Sequence, residues 1–502
     1  MNNTRSLLSL SWQSFAYGVG SFSRKIVVYL TLPLLTRLMG QTEYGIVVIM
    51  MAFISLTDTL SDAGLPLATF RLYNEREDAK HRGSVLGSSL FLFVLYALAM
   101  VTGIWICAGW LSGWLLETPG NAGLIRIGAV LMLFLTLFSF GDIVYRIQVR
   151  PLVDSFANFL LVLAQSVLSL ALVGLYARGA YGYWLGQLGG AVIAVLFMAV
   201  TLRTLKSLSI STRQMKGLIA YGLPMIPAAL AVWALRVVDR PIILRFYTLQ
   251  DVAIYDLGYK VGSLVATALA PFALAWPQFA FSHMRDEDAP YLYRDVLTAI
   301  AAVSTLLGLG IFAFRREIVL LFGGSSYLTA IDVVGWVIVG QIAWVLFPIL
   351  SIGPRIRKKT GQVAWLTGLA ALSNVALNFL LLPRFGIVGA AIATMLAYGM
   401  AALGAAVLGR FKYGLLLDYV RLAKLLMAGI VSTGWVVLVE SNLGDSALAF
   451  VLKVLSLPLM MALLLVSGFI RFGQAKDIAK VTLEEIYQRR PRKQFTEQES
   501  GK

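Results

Sequence analysis

Long apolar runs recur from near residue 10 to residue 470, each about as long as the ~20 residues a helix needs to cross a bilayer. Few folds are open to such a chain. Lipid satisfies no backbone hydrogen bond, so each crossing must be a helix or part of a closed barrel. The runs are continuous rather than alternating, which selects helices. Hydrophobic residues make up 59% of the 502, more than a water-soluble chain of this length can hide. The expected fold is an all-α polytopic membrane protein of about fourteen transmembrane helices, at 10–38, 44–71, 84–112, 122–148, 152–176, 180–202, 216–246, 250–281, 292–314, 328–354, 361–382, 386–409, 418–440 and 446–470.

Charge sets the expected orientation. Arg71, Arg76, Lys80 and Arg82 share one connection, Arg203, Lys206, Arg213 and Lys216 another, and Arg355, Arg357, Lys358 and Lys359 a third. Between them, "LETPGNAG" (116–123) and "ESNLGDSA" (440–447) carry no cation. The positive-inside rule then puts both termini in the cytoplasm, with Arg315 and Arg316 on the outer side. The net charge of +16 therefore marks orientation rather than nucleic-acid binding, since most cations lie in short connections and the tail. No removable signal peptide is expected ahead of the first run. The single cysteine, Cys107, and the two histidines, His81 and His283, leave little material for a metal site or histidine catalysis. No GxxxxGK[ST] stretch is present, so no nucleotide cofactor is expected.

The chain repeats itself weakly. At an offset of 208 residues, Pro33, Arg37, Glu43 and Ile46 meet Pro241, Arg245, Asp251 and Ile254. This predicts two pseudo-symmetric six-helix lobes, residues 1–210 and 211–414, around a central cavity. Two extra helices (415–470) and a basic cytoplasmic tail (471–502) follow. The tail cluster Arg489, Arg490, Arg492 and Lys493 reads as a solvated end, with anionic lipid as the alternative.

The informative charges lie inside the spans. "GVGSFSRKIVVYLTLPLLTR" (18–37) carries Arg24 and Lys25 near its middle, where a single charge costs about 2.5–3.5 kcal/mol in lipid. Gln13, Ser14, Tyr17 and Ser21 share their face, while Phe15, Val19, Phe22 and Ile26 form the opposite one. That face is expected to line a wet cavity. Asp58 and Asp62 follow in span two, Arg236, Asp239 and Arg240 in span seven, Asp256 and Lys260 in span eight, and Lys453 in span fourteen. Asp256 with Lys260, and Asp239 with one of its arginines, can pair and hold the bundle together. Asp58 and Asp62 are open to pairing or to ion coupling. Arg24, Lys25 and at least one of Arg236 and Arg240 remain as surplus positive charge. Such a cavity suits an anion, and arginine suits phosphate because its planar fork binds two oxygens. "LPMIP" (223–227), Pro241, Pro271 and Pro277 interrupt spans seven and eight, either as fixed kinks or as bending points.

Three segments carry a resemblance. "LTRLMGQTEYGIVVIMMAFISLTDTLSDAGL" (35–65), "VVDRPIILRFYTLQDVAIYDLGYKV" (237–261) and "NVALNFLLLPRFGIVGAAIATMLAY" (374–398) are similar to the bacterial polysaccharide transporters. These O-antigen flippase-like proteins belong to the multidrug/oligosaccharidyl-lipid/polysaccharide exporter superfamily, and the resemblance runs nearly to residue 470. It implies a V-shaped pair of lobes that alternates between inward-open and outward-open states in the cytoplasmic (inner) membrane. It implies a polyprenyl-pyrophosphate-linked oligosaccharide as cargo, with Arg24 and Lys25 where flippases of this family place cavity cations. Membrane lipids, glycosyltransferases and a glycan polymerase of the same pathway are the implied partners, and nucleic acid is not among them. Two other functions compete. A multidrug antiporter needs acidic cavity groups, for which Asp58 and Asp62 are candidates. A membrane glycan polymerase or ligase would carry a large outer loop, and the outer connections here are short.

Overall fold

The computed structural model describes residues 2–62, 64–117, 119–202, 208–444 and 446–469, and side chains from Lys25 onward except that of Pro119. The Arg24 side chain and the basic tail therefore lie outside the described residues. Every regular element among the described residues is helical. The described residues up to Leu417 form one compact unit and those from Asp418 onward another.

Among the described residues, eleven helices are long and apolar enough to cross a membrane, where about fourteen spans were expected. The difference has two physical sources. First, a single glycine can reverse the chain without ending the hydrogen-bonded run. Thr360–Tyr413 holds Gly386 at φ +61°, a conformation side chains disfavour. Asn374 Nδ2 donates to Thr394 Oγ1 at 3.2 Å, a pair that a straight helix would hold about 30 Å apart. Gly40, at φ +68°, reverses Asn2–Asp62 in the same way, so that Val28 and Met51 line one cavity. Second, the stretch that follows Val237 is broken into Asp239–Phe246, Leu249–Gly262, Leu264–Ala268 and Ala270–Ser282. None of these pieces crosses alone. The "LPMIP" segment breaks span seven too, with a tight turn at Leu223–Met225 between Thr212–Gly222 and Ile226–Val237.

Alternate connections gather at one end of the first unit. Glu43 Oε2 accepts the Ala180 amide at 2.7 Å. Gln250 Nε2 donates to Thr42 Oγ1 at 3.3 Å, Gln41 Nε2 to the Ser326 carbonyl at 2.5 Å and Tyr247 Oη to the Leu382 carbonyl at 3.0 Å. Arg37 Nη2 reaches the Leu321 carbonyl at 3.2 Å. At the other end His81 Nδ1 meets Gln214 Nε2 at 3.2 Å, and the Ser209 amide donates to the Gly83 carbonyl at 3.3 Å. At the Gly40 end one continuous core runs from the first half of the chain (Leu32, Tyr44, Val47) into the second (Val252, Tyr255, Val319, Tyr327). A second cluster, around Trp276, Phe347 and Tyr398, belongs to the second half alone.

In the second unit, Lys453 is buried and its Nζ lies 3.1 Å from Glu440 Oε1. An intramembrane lysine is thus neutralised within its own unit.

Candidate functional site

Ile226–Val237 gives way at Val238 to Asp239–Phe246. Pro241, the third residue of the new helix, lacks an amide hydrogen and cannot continue the old ladder. The break places Asp239 at a helix start, where the dipole favours a carboxylate, and its Oδ1 accepts the Arg240 amide at 3.0 Å. Leu249–Gly262 begins with a capping box in which Thr248 and Asp251 each bond the other's backbone. Tyr255, Asp256, Tyr259 and Lys260 then share one helix face.

The two helices meet in a charge network. Arg240 Nη1 donates to Asp239 Oδ1 at 2.6 Å and to the Arg236 carbonyl at 2.7 Å. Its Nη2 reaches Asp256 Oδ1 at 3.3 Å, and the guanidinium carbon lies 4.2 Å from the centre of the Tyr259 ring. Asp256 Oδ2 lies 2.8 Å from Lys260 Nζ and accepts from Tyr44 Oη at 3.2 Å. Lys260 Nζ also donates to Tyr44 Oη at 2.6 Å, and Tyr255 Oη donates to Asp239 Oδ2. Asp239, Arg240 and Asp256 are only 2%, 6% and 5% exposed. Two cations face two carboxylates, so the network carries no net charge. Tyr44 ties it to the first half of the chain.

The other expected site residues lie on the far side of this network from Gly40. Tyr29 Oη donates to the Lys260 carbonyl at 3.3 Å, and Lys25 sits one helical turn, about 6 Å, further from Gly40. Lys25 is half-buried. Arg236 is exposed and forms no ion pair among the described residues. Of the two arginines beside Asp239, Arg240 is therefore the paired one and Arg236 the open one. Trp233 Nε1 donates to Ser55 Oγ at 3.0 Å, which sets span seven against span two just beyond Arg236. Asp58 and Asp62 follow on that span. Neither forms an ion pair among the described residues, and Oδ1 of each is buried without a hydrogen-bond partner.

Two groups of residues escaped the sequence analysis. Tyr44 and Tyr255 complete the network, but a tyrosine in an apolar run carries no signal beyond packing. Asp142, Arg146, Asp154 and Asn158 meet at the opposite end, with Arg146 Nη2 2.6 Å from Asp142 Oδ2 and Asn158 Nδ2 2.8 Å from Asp142 Oδ1. Their spacing of four within each pair was the available signal.

A family described as "Polysaccharide biosynthesis protein" matches residues 34–332. The succinoglycan biosynthesis transport protein ExoT of Rhizobium meliloti (strain 1021) is 24% identical over 370 residues, 71% of this chain and 70% of that one. Among solved structures, the lipid II flippase MurJ in an inward closed conformation aligns with a TM-score of 0.71 at 16% identity, covering 90% of this chain and 97% of that one. An inward-facing multidrug resistance MATE family transporter of the MOP superfamily aligns with a TM-score of 0.67 at 15% identity, covering 78% and 94%.

Proposed function

We propose that this chain, which belongs to the polysaccharide biosynthesis protein family, is a flippase for a polyprenyl-pyrophosphate-linked oligosaccharide. It is a membrane transporter, not an enzyme. Lobes of residues 1–210 and 211–414 would alternate access to a cavity between them, with residues 415–470 as two added crossings. The observation that carries the reading is Arg236, an exposed guanidinium beside a network that has already consumed both neighbouring carboxylates. Lys25, one turn below Tyr29, and Arg24 would complete a phosphate-binding set. Asp256 and Lys260 both bond Tyr44 of the first half at the Gly40 end, so this conformation would be closed on the outer side.

A second reading, an ion-coupled multidrug antiporter, is favoured by the unpartnered oxygens of Asp58 and Asp62. One assay separates the two. In proteoliposomes, the wild type should carry a lipid-linked pyrophosphoryl oligosaccharide to the opposite leaflet, where a non-penetrating lectin detects it. Lys25→Ala should slow this about tenfold, equivalent to ~1.4 kcal/mol of lost attraction. Asp58→Asn with Asp62→Asn should abolish the response to an imposed ion gradient yet leave exchange without a gradient. Accumulation of an organic cation with no glycan movement would establish the antiporter instead.

The cation asymmetry of alternate connections supports an inner-membrane protein with both termini in the cytoplasm. With Cys107 replaced by serine, cysteines introduced at Thr118 and Leu443 should react with an impermeant reagent in intact cells. Those at Asp78, Ser209 and Arg357 should react only after permeabilisation. The reverse pattern would invert the scheme.

A further inference from the structure

A cavity of about 180 Å³ lies beside the charge network, between the hairpin that turns at Gly40 and the helices Pro151–Gly174 and Gly179–Thr201. Thr31, Gln165, Ser166, Ser169, Gln187 and Lys260 line one part of it, with Tyr44 and Tyr183, and Val28, Leu32, Leu35, Met51 and Val162 line the rest. Gly186 lets these two helices pack closely, because a Cβ there would meet the Leu168 backbone at 2.7 Å and push them apart. The wall is partly pre-arranged. Gln187 Nε2 donates to Ser169 Oγ at 3.1 Å, Ser169 Oγ to the Tyr183 carbonyl at 2.9 Å and Gln165 Nε2 to the Gln187 carbonyl at 3.2 Å. The amide oxygens of Gln165 and Gln187 and the Ser166 hydroxyl have no partner among the described residues.

The chemistry of this wall selects a ligand. No carboxylate among the described residues lines it, which disfavours an organic cation. Its one ammonium is already neutralised by Asp256 at 2.8 Å, so a phosphate would gain little there. Uncharged donors and acceptors beside aromatic and aliphatic surface suit a sugar ring, whose hydroxyl groups are polar and whose C–H faces are apolar. Pockets for drug-sized ligands measure about 300–1,000 Å³. At ~30 Å³ per water, this one holds roughly six waters' worth of ligand, the scale of a single sugar ring.

We infer that the cavity receives one neutral glycosyl residue of the cargo, separately from the cationic groups that would hold its pyrophosphate. The inference rests on the glycan-flippase reading above. Lys260 belongs both to this wall and to the network that joins the two halves, so the sugar would touch a side chain of the closure itself.

Binding can be measured without transport. Saturation-transfer NMR on the purified full-length protein, with free glucose, galactose, mannose and rhamnose as probes, should detect at least one of them bound weakly. Inorganic pyrophosphate should not displace it. Gln165→Ala and Gln187→Ala remove hydrogen-bonding groups without adding bulk, and Ser166→Leu fills the space. Each should weaken sugar binding about tenfold or more, and the two alanine variants keep the test valid if the leucine variant fails to fold. Absence of signal for all four sugars, unchanged binding in the alanine variants, or displacement by pyrophosphate would each overturn the assignment. The flippase reading would survive those results, because lipid-linked glycan movement in proteoliposomes tests it independently.

Discussion

Arg240→Ala should destabilise the protein by roughly 3–5 kcal/mol, the range for removing one partner of a buried ion pair. The cause is the pair of carboxylates left behind. Asp239 and Asp256 stay buried, and the guanidinium that reaches both of them at 2.6 and 3.3 Å is gone. Lys260 still neutralises Asp256 at 2.8 Å, but Asp239 keeps only neutral donors. Thermal unfolding in detergent and the amount of monodisperse protein recovered from membranes are the measurements. Lys260→Met should cost less, because Arg240 still holds Asp256. Arg240→Lys should fall between wild type and alanine, since a point charge cannot span two carboxylates as a fork does. A normal unfolding temperature for Arg240→Ala, with export lost, would move Arg240 from scaffold to cargo binding.

Arg236 is expected to show the opposite profile. Arg236→Ala should leave unfolding nearly unchanged, because the side chain is exposed and unpaired among the described residues. Glycan export should fall about ten- to a hundredfold, corresponding to the ~1.5–3 kcal/mol of a hydrogen bond to a charged group. Arg236→Lys should recover part of it, keeping the charge without the two-oxygen geometry. The order expected in an export assay is wild type, lysine, alanine. Equal export by the lysine and alanine variants would refute a phosphate contact at this position. Asp239→Asn should matter little for export, since its carboxylate serves Arg240 and Tyr255.

Much of this architecture was legible in the sequence, for identifiable reasons. The reversals at Gly40 and Gly386 fall where "LMGQTEYG" and "LPRFGIVG" interrupt apolar runs with glycine and polar residues. The Asp256–Lys260 pair follows from a spacing of four on one helix. The bridge from Arg240 to Asp256 did not follow, because it depends on how two broken helices dock. Tyr44 was hidden for the same reason: it meets Asp256 across 212 residues of chain. No local pattern marks a hydroxyl that becomes a hydrogen-bond donor only after packing. The number of helices long enough to cross differed from the expected spans because hydropathy registers length, whereas glycine turns and proline breaks redraw element boundaries without changing it.

The balance of charge in the network has an electrical consequence. A cation displaced across a membrane potential does work of about 2.3 kcal/mol per 100 mV. Arg240 and Lys260 are matched by Asp239 and Asp256, so displacing the four together does no net electrical work. Separating or rejoining the two halves at the Gly40 end is then blind to voltage. A dependence of transport on membrane potential would then come from charges outside this network, the cargo's own among them.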